Sequence, residues 1–202
     1  ASFNSAFGFN ALKANTTGAN NTAVGEGAME VNIGGSFNTA MGVSALDANT
    51  TGADNVALGT YSLSTNTTAG KNTAVGRSSL SANITGAQNV AVGYTSLEAN
   101  TTGSNNVAVG YQALDGNTTV SEGTAVGYRA LSSNTTGANN TALGTTAMLD
   151  NTTGQQNVAV GSNAMANNTT ANDNTSVGAY SMNSNTTGTN NIAVGRNALR
   201  LN

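Results

Sequence analysis

The sequence predicts an all-β fold, a parallel β-solenoid (β-roll) of twelve 17-residue coils. Three observations predict it: an unbroken 17-residue repeat, a short alternating apolar segment in each repeat, and turn segments rich in Gly and Asn. The repeats start, with no insertion or deletion between them, at residues 4, 21, 38, 55, 72, 89, 106, 123, 140, 157, 174 and 191. We therefore interpret residues 1–202 as a single solenoid array.

Each repeat is numbered from its first residue, so that residues 106–122 are positions 1 to 17. Positions 2 to 4 predict a short strand, as in Val107-Ala108-Val109, because Val and Thr suit a pleated surface. Gly stands at position 5 in all twelve copies and is expected to end the strand at a φ that other residues disfavour. A second extended segment is predicted over positions 8 to 10, around Ala113 and Leu114. Positions 12 to 15 predict a turn whose final Gly supplies the unusual backbone angle.

The strand pattern also predicts which positions are buried. We expect the larger apolar residues at positions 2, 4 and 9 to face the core of each coil. Positions 3 and 8 hold only Ala or Ser, and columns of such small residues let two backbones approach closely. This predicts self-association, most simply a homotrimer around a common axis. The alternative is that the small residues only narrow the interior of the coil.

Position 12 is Asn in all twelve repeats, and stacking of the coils would align these residues in one column. Identical stacked amides form hydrogen-bonded ladders, so we predict such a ladder along the axis. An alternative is a repeated turn residue with positive φ. The predicted ladder comprises Asn15, Asn32, Asn49, Asn66, Asn83, Asn100, Asn117, Asn134, Asn151, Asn168 and Asn185, and Asn202 ends the column.

The same asparagines belong to Asn-x-Thr sequons in most repeats. These sequons could carry sugar if an exporting cell glycosylated the chain. An Asn that faces inward in a ladder cannot be glycosylated, so the two interpretations exclude each other at each site. We favour the unmodified ladder.

Aromatic residues cluster at positions 6 and 7, and Tyr94, Tyr111 and Tyr128 are consecutive in one column. A stripe of tyrosines could bind a glycan or another partner, because Tyr combines an apolar ring with a polar hydroxyl. Mutual stacking of exposed rings is the alternative.

Composition excludes several function classes. The formal net charge is −3 and only 7% of residues are charged, so we expect neither nucleic-acid binding nor membrane insertion. The chain has no Cys and no His. The nine acids occupy varied repeat positions, so we expect neither a carboxylate pair nor a metal column. The sequence shows no general base that could activate a Ser or Thr as a nucleophile. We therefore expect no enzyme activity and no cofactor.

The run Asn-Val-Ala-Val-Gly-Tyr at 89–94 and 106–111 resembles the head repeats of trimeric autotransporter adhesins. With Asn-Thr-Thr-Gly between these cores, the repeat also resembles those of bacterial and phage tail-fibre-like proteins. The resemblance covers essentially the whole chain. It implies a left-handed parallel β-roll, a homotrimer, an exposed fibre and an adhesive or structural role. The adhesin-head repeat is shorter than 17 residues.

Two functional classes follow. The first is an extracellular fibre or adhesin segment, on a cell or virion surface, that assembles with itself and attaches to a host-surface glycan or protein. Copies placed end to end would nearly continue the 17-residue phase, which predicts head-to-tail stacking or an array cut from a longer one. The alternative is an ice-binding solenoid with a Thr array at position 14. Neighbouring Thr at positions 13 and 14 should face opposite ways, which disfavours a two-column ice-binding face.

Overall fold

The computed structural model describes residues 1–201, so Asn202 at the end of the position-12 column lies outside the described residues. The described chain contains twelve strands of three residues, one at positions 2 to 4 of each repeat, and no helix. The strands are β1 Ser5–Phe7, β2 Thr22–Val24, β3 Thr39–Met41, β4 Val56–Leu58, β5 Thr73–Val75, β6 Val90–Val92, β7 Val107–Val109, β8 Thr124–Val126, β9 Thr141–Leu143, β10 Val158–Val160, β11 Thr175–Val177 and β12 Ile192–Val194. The predicted all-β solenoid is confirmed.

All twelve strands form one parallel sheet in sequence order. Each strand pairs with the next at a register of one repeat, so that Val107 lies beside Thr124 and Val109 beside Val126. Neighbouring strands are spaced by about 4.8 Å, which makes the twelve-stranded sheet about 55 Å long. The 17-residue period is therefore the length of one coil, and residues at the same position stack in columns.

Gly at position 5 ends each strand with a left-handed backbone, as predicted. The φ angles of these glycines lie between 123° and 141°. A Cβ atom on Gly42 would also lie 2.6 Å from the carbonyl carbon of Gly59 in the next coil, which is far closer than side chains approach backbone. Both the φ angle and the close approach of the coils therefore require Gly at this position.

The predicted second strand over positions 8 to 10 is wrong. These residues form a turn, because the backbone at positions 7 and 9 is left-handed, for example at Gln112 (φ 51°) and Leu114 (φ 53°). The turn still binds the next coil, since the amide of Leu114 donates to the carbonyl of Ala130 at 3.0 Å. Alternating left- and right-handed residues thus give coil-to-coil hydrogen bonds without a strand.

The predicted orientation of the strand is also wrong. The side chain at position 3, such as Ala108, is fully buried, whereas Val107 and Val109 at positions 2 and 4 remain partly exposed. The core consists of the Ala at position 3, the Ala or Ser at position 8, and the Leu or Met at position 9. The small residues at positions 3 and 8 therefore narrow the interior and do not form the expected contact surface.

The narrow width of the coil is the physical reason why the strand turns its small residue inward. In the one repeat with Ser at position 3, the hydroxyl of Ser176 reaches the carbonyl of Ser181 at position 8, 2.9 Å away. A side chain with one heavy atom beyond Cβ therefore spans the interior between these two segments. A Val or Leu would not fit there, so the larger apolar residues of the strand point outward.

The turn at positions 12 to 17 also differs from the prediction. The left-handed residue is at position 17, as in Asn105 (φ 59°), and not at the Gly of position 15 or the Asn of position 12. The Gly of position 15 leaves space for the corner, because a Cβ on Gly18 would lie 2.5 Å from Oδ1 of Asn15. Three repeats nevertheless replace it, with Ala69, Val120 and Ala171. Asn, Asp and Gln are common at position 17, and Asn and Asp tolerate the left-handed region.

Candidate functional site

The position-12 asparagines form a hydrogen-bonded column inside the rod. The side-chain amide of Asn100 donates to Oδ1 of Asn83 at 2.9 Å and to the carbonyl of Gly103 at 3.0 Å. Its own Oδ1 accepts from Asn117 at 3.0 Å. The same side-chain contact joins the other neighbours from Asn15 to Asn117 and from Asn134 to Asn168, at 2.7–3.0 Å. Asn100 and Asn117 thus lie in neighbouring coils.

Two contacts are missing from this column. Asn134 does not donate to Asn117, and Asn185 does not donate to Asn168, so Oδ1 of Asn117 and Oδ1 of Asn168 are buried without a partner among the described residues. Both Asn134 and Asn185 still donate to a carbonyl in their own coil, that of Gly137 and Gly188 respectively. The ladder is therefore divided into an amino-terminal block and shorter carboxy-terminal ones.

A second asparagine column, at position 1, was missed from the sequence. Oδ1 of Asn89 accepts from the backbone amide of Asn106 at 3.0 Å, and equivalent bonds run through the other repeats at 2.9–3.1 Å, except from Gly123 to Asn140. Asn occupies position 1 in eleven repeats, and this regularity was a usable signal. We interpreted it only as the residue before the strand.

The two columns meet at one carbonyl in every coil except the eighth, which has Gly123 at position 1, and the twelfth, which ends before position 15. The carbonyl of Gly103, at position 15, accepts from the side chain of Asn89 at 2.9 Å and from that of Asn100 at 3.0 Å. Asn89 begins the coil and Asn100 precedes the turn that closes it. A buried carbonyl needs partners, and the two amides supply them while they join the two ends of the coil.

The burial of the ladder also bears on the sequons. Asn49, Asn66, Asn83 and Asn100 are fully buried, and their Nδ2 atoms are engaged in hydrogen bonds. Glycosylation would require this nitrogen to be accessible. In the folded rod these side chains cannot accept a sugar.

The larger residues of the strands form one outward strand face. We define it as positions 2 and 4 of all twelve strands, which hold Ser, Thr, Val or Ile and Val, Leu, Met or Phe respectively. Their side chains are partly or fully exposed, for example Met41 (46%) and Val126 (37%). The face contains no charged residue and extends along the full length of the sheet. Position 4 is apolar in all twelve strands, and position 2 holds either an apolar residue or Ser or Thr.

The tyrosine column lies beside this face. The rings of Tyr94 and Tyr111 stack with centroids 5.6 Å apart, and those of Tyr111 and Tyr128 stack at 5.3 Å. The guanidinium of Arg77 lies 5.9 Å from the ring centre of Tyr94, within the range of a cation–π contact. The rings therefore cover each other's faces and present their edges to solvent. A sugar ring could not stack flat between them.

The expectation that the acids form no pair is wrong. Glu30 and Asp47 share position 10 in successive coils, as do Glu98 and Asp115. Burial first, and then the charge of Glu98, raises the pKa of Asp115, while Arg129 and the amide of Gly116 oppose the increase. Burial and the charge of Glu30 likewise raise the pKa of Asp47. Lys13 binds Glu30 at 3.1 Å on the exposed side of the same column.

Within residues 1–201, no group of three or more acidic side chains is arranged to hold a metal ion. A groove of about 390 Å³ lies at the position 14 to 17 corner, lined among others by Thr51, Asp54, Thr68, Lys71 and Gln88. It contains one acid and one base in an open surface. No helix in the described part of the chain has the length and apolar character to cross a membrane.

No family model matches this chain, and neither does any curated protein or solved structure.

Proposed function

We propose that the chain is a structural rod of an extracellular fibre or adhesin, and that its main activity is to assemble with copies of itself. The observation that carries this proposal is the outward strand face, which is uncharged, is as long as the sheet, is apolar at position 4 and holds Ser, Thr, Val or Ile at position 2. Removal of exposed apolar surface from water lowers the free energy and therefore favours association.

The area of the face is about two thirds of what a standard interface buries on one partner. Twelve strands at about 4.8 Å spacing and a width of about 10 Å give roughly 550 Å². Standard interfaces bury about 800 Å² on each partner. No charged group would have to be desolvated at positions 2 and 4, which favours contact further.

A second copy of this chain is the partner that fits best. The face repeats its shape at each coil, so only a surface with the same rise matches it along the whole length. Another copy of the rod has the same rise per coil, because it consists of the same repeats. The resemblance to adhesin heads implies a homotrimer, and we propose that three outward strand faces meet around its axis.

The tyrosine column is our proposed surface for attachment to a host glycan or protein. It presents ring edges and hydroxyl groups in a row, and Tyr94, Tyr111 and Tyr128 are all about half exposed. Hydroxyl groups in such a row suit hydrogen bonding along an extended partner. Surface attachment of this kind agrees with an extracellular or virion-surface location.

The experiment is sedimentation equilibrium of the purified chain and of two double variants. We expect the unmodified chain to sediment at about three times its 19.9 kDa mass. Val92→Lys with Val109→Lys places two charges in the outward strand face and should weaken association at least about 100-fold, because the ammonium groups would be buried unpaired. Thr85→Lys with Thr102→Lys adds the same charge at exposed turn positions and should leave association unchanged.

Two outcomes would contradict the proposal. One is an unmodified chain that sediments as a 19.9 kDa monomer at micromolar concentration. The other is equal association of the two double variants, which would place the interface elsewhere. Electron microscopy of the same samples distinguishes lateral rods from head-to-tail filaments.

An ice-binding solenoid is the second candidate, because the Thr column at position 14 is exposed at Thr51, Thr68, Thr85 and Thr102. Positions 13 and 14 lie in a bend, so they do not alternate as in a strand. However, the hydroxyl of Thr101 at position 13 donates to the carbonyl of Thr118 in the next coil at 3.0 Å. One of the two hydroxyl columns is therefore engaged with the protein. Thermal hysteresis of the unmodified chain would favour this candidate.

A further inference from the structure

The contact between coils depends on the size of the residue at position 15. Ten junctions have a complete corner on both sides; seven of them have Gly at position 15, and each of the seven retains four hydrogen bonds around the 12-to-17 corner. At the junction after Gly86, these are the bonds of the Ile84 and Thr85 amides to Thr101, the bond of Asn100 to Asn83, and the bond of the Asn105 amide to Ala87. The corner is closed wherever the residue at position 15 has no side chain.

A larger residue at position 15 removes some of these bonds. After Ala69, the amide of Thr68 has no partner in the next coil. After Ala171, the side-chain bond from Asn185 to Asn168 is absent. The reason is steric: a Cβ atom built on Gly103 at the same position would contact the carbonyl of Val120 in the next coil, 3.0 Å from its carbon. The side chain pushes the neighbouring corner away.

Val120 produces the largest effect, at the junction between the seventh and eighth coils. Neither Thr118 nor Thr119 donates to the next coil, the amide of Asn139 has no partner in the preceding coil, and Oδ1 of Asn117 is buried without one. All four bonds that the glycine junctions retain are therefore missing. We call this region, residues 117–123 facing 134–140, the open corner.

The position-1 column is interrupted at the same place. Gly123 replaces Asn, so the amide of Asn140 has no side chain to donate to, unlike its equivalents in the other coils. The opposite side of the junction is intact: β7 pairs with β8 in full register, and Leu114 donates to Ala130 at 3.0 Å. One side of the junction is bonded and the other is not.

We propose that the open corner is a built-in hinge at which the rod opens first, and that it separates a block of seven coils from a block of five. Water enters there, because the Thr118 and Thr119 amides and Asn117 Oδ1 supply two donors and one acceptor without protein partners. In a linear array, each coil is held only by its neighbours, so a weak junction divides the array into separate cooperative units.

The test is amide hydrogen exchange on the intact chain, with residue-level resolution. Thr118, Thr119 and Asn139 should exchange at least about tenfold faster than Ile84, Thr85 and Asn105, their equivalents at the junction after Gly86, because the bonds that protect those amides are absent here. The repair variant Val120→Gly with Gly123→Asn restores the residues of the closed junctions. It should slow exchange at Thr118, Thr119 and Asn139 to the rate of those equivalents.

The matched control transplants the open corner. Gly86→Val with Asn89→Gly places the Val and the Gly of the open corner at the equivalent positions two coils earlier. Fast exchange should then appear at the amides of Ile84, Thr85 and Asn105. The two single repairs, Val120→Gly and Gly123→Asn, separate the steric effect from the lost side chain. Equal exchange at the two junctions of the unmodified chain, or unchanged exchange in the repair variant, would overturn the proposal.

Discussion

At the scale of single residues, the fold depends on left-handed backbone conformations that most residues avoid. They recur at positions 7, 9 and 17, for example at Arg129, Leu131 and Asn139. Each costs about 1–2 kcal/mol for a residue other than Gly. The benefit is that the amide at position 9 then points to the next coil and is hydrogen-bonded there, as in Leu131 to Ala147 at 2.9 Å.

This conformation explains the residue choice at position 9. The position holds Leu or Met in all twelve repeats and never Val or Ile. Branching at Cβ is strongly disfavoured at positive φ, whereas Leu and Met branch further from the backbone or not at all. At the buried position 9 the choice is therefore a sequence signal for a left-handed residue, whereas the left-handed position 7 also accepts Thr, at Thr95 and Thr146.

A pair of substitutions at Leu114 tests this explanation. Leu114→Ile conserves the volume of the side chain but places a branched Cβ at φ 53°, and should lower the free energy of unfolding by about 2 kcal/mol or more. Leu114→Met is the control and should cost less than about 1.5 kcal/mol, because Met occupies this position in other repeats. Urea denaturation followed by circular dichroism measures both. Similar midpoints for the two variants would show that backbone strain is not the cause.

At the scale of one coil, the strand and the two asparagines act together. The strand supplies the register, and Asn at positions 1 and 12 hold the start and the end of the coil on a single carbonyl. Buried amides without partners would be costly, and here nearly all are paired. A polar interior of this kind fixes which coil lies against which, since a shifted register would leave the amides unpaired.

Asn100→Ala should therefore destabilise the rod substantially. It removes the bonds to Asn83 and Gly103 and leaves Nδ2 of Asn117 with one acceptor fewer, so we expect a loss of about 2–4 kcal/mol in the free energy of unfolding. Thr102→Ala, at an exposed position of the same turn, should change it by less than about 0.5 kcal/mol. Chemical denaturation of both variants gives the comparison.

Asn100→Asp adds a pH-dependent control. The carboxylate would face Oδ1 of Asn83 and the carbonyl of Gly103, so its folded pKa would lie above the unfolded value of about 3.9. A raised folded pKa means that the variant gains stability as the pH falls through that pKa towards the unfolded one. If the variant shows no such recovery relative to the unmodified chain, this side chain does not lie in a buried hydrogen-bonded column.

The sequence predicts the period, the strand bounds and the stacking of Asn100 on Asn117, because these follow from the repeat and the two-residue alternation alone. It does not predict which face of the strand is inside. Alternation separates Ala108 from Val107 and Val109, but hydrophobicity favours the two valines as core, and only the narrow interior reverses that choice. The carbonyl shared by the two asparagine columns and the open corner depend on which atoms residues distant in sequence reach, and spacing does not show this.

At the scale of the whole molecule, the rod is a one-dimensional array. Each coil contacts the coils before and after it, and every strand pair has the same register. Stability in such an array is approximately the sum of coil and junction terms. Insertion or deletion of a whole coil should therefore change only the length of the rod. Insertion or deletion of part of a coil should disrupt the stacking of the columns.

Deletion variants test this property. Removal of residues 72–88 takes out one whole coil and joins Lys71 to Asn89 in phase, so we expect a folded rod that is shorter by about 4.8 Å. Removal of residues 72–87 leaves one extra residue and moves the following side chains out of their columns at that point. Its unfolding midpoint should fall well below that of the 17-residue deletion. Thermal melts and small-angle scattering measure both. Equal melting of the two would mean that the columns do not determine stability.

The side-chain ladders also give the rod a net dipole moment along its axis. Backbone amides donate both to the preceding coil and to the following one, so their dipoles largely cancel. The dipoles of the position-12 side chains do not cancel, because from Asn32 to Asn117 every Nδ2 points to the Oδ1 of the preceding coil. Aligned dipoles add along the axis, as they do in a helix. Two rods lying side by side would therefore distinguish head-up from head-down neighbours, even where their surfaces carry no charge.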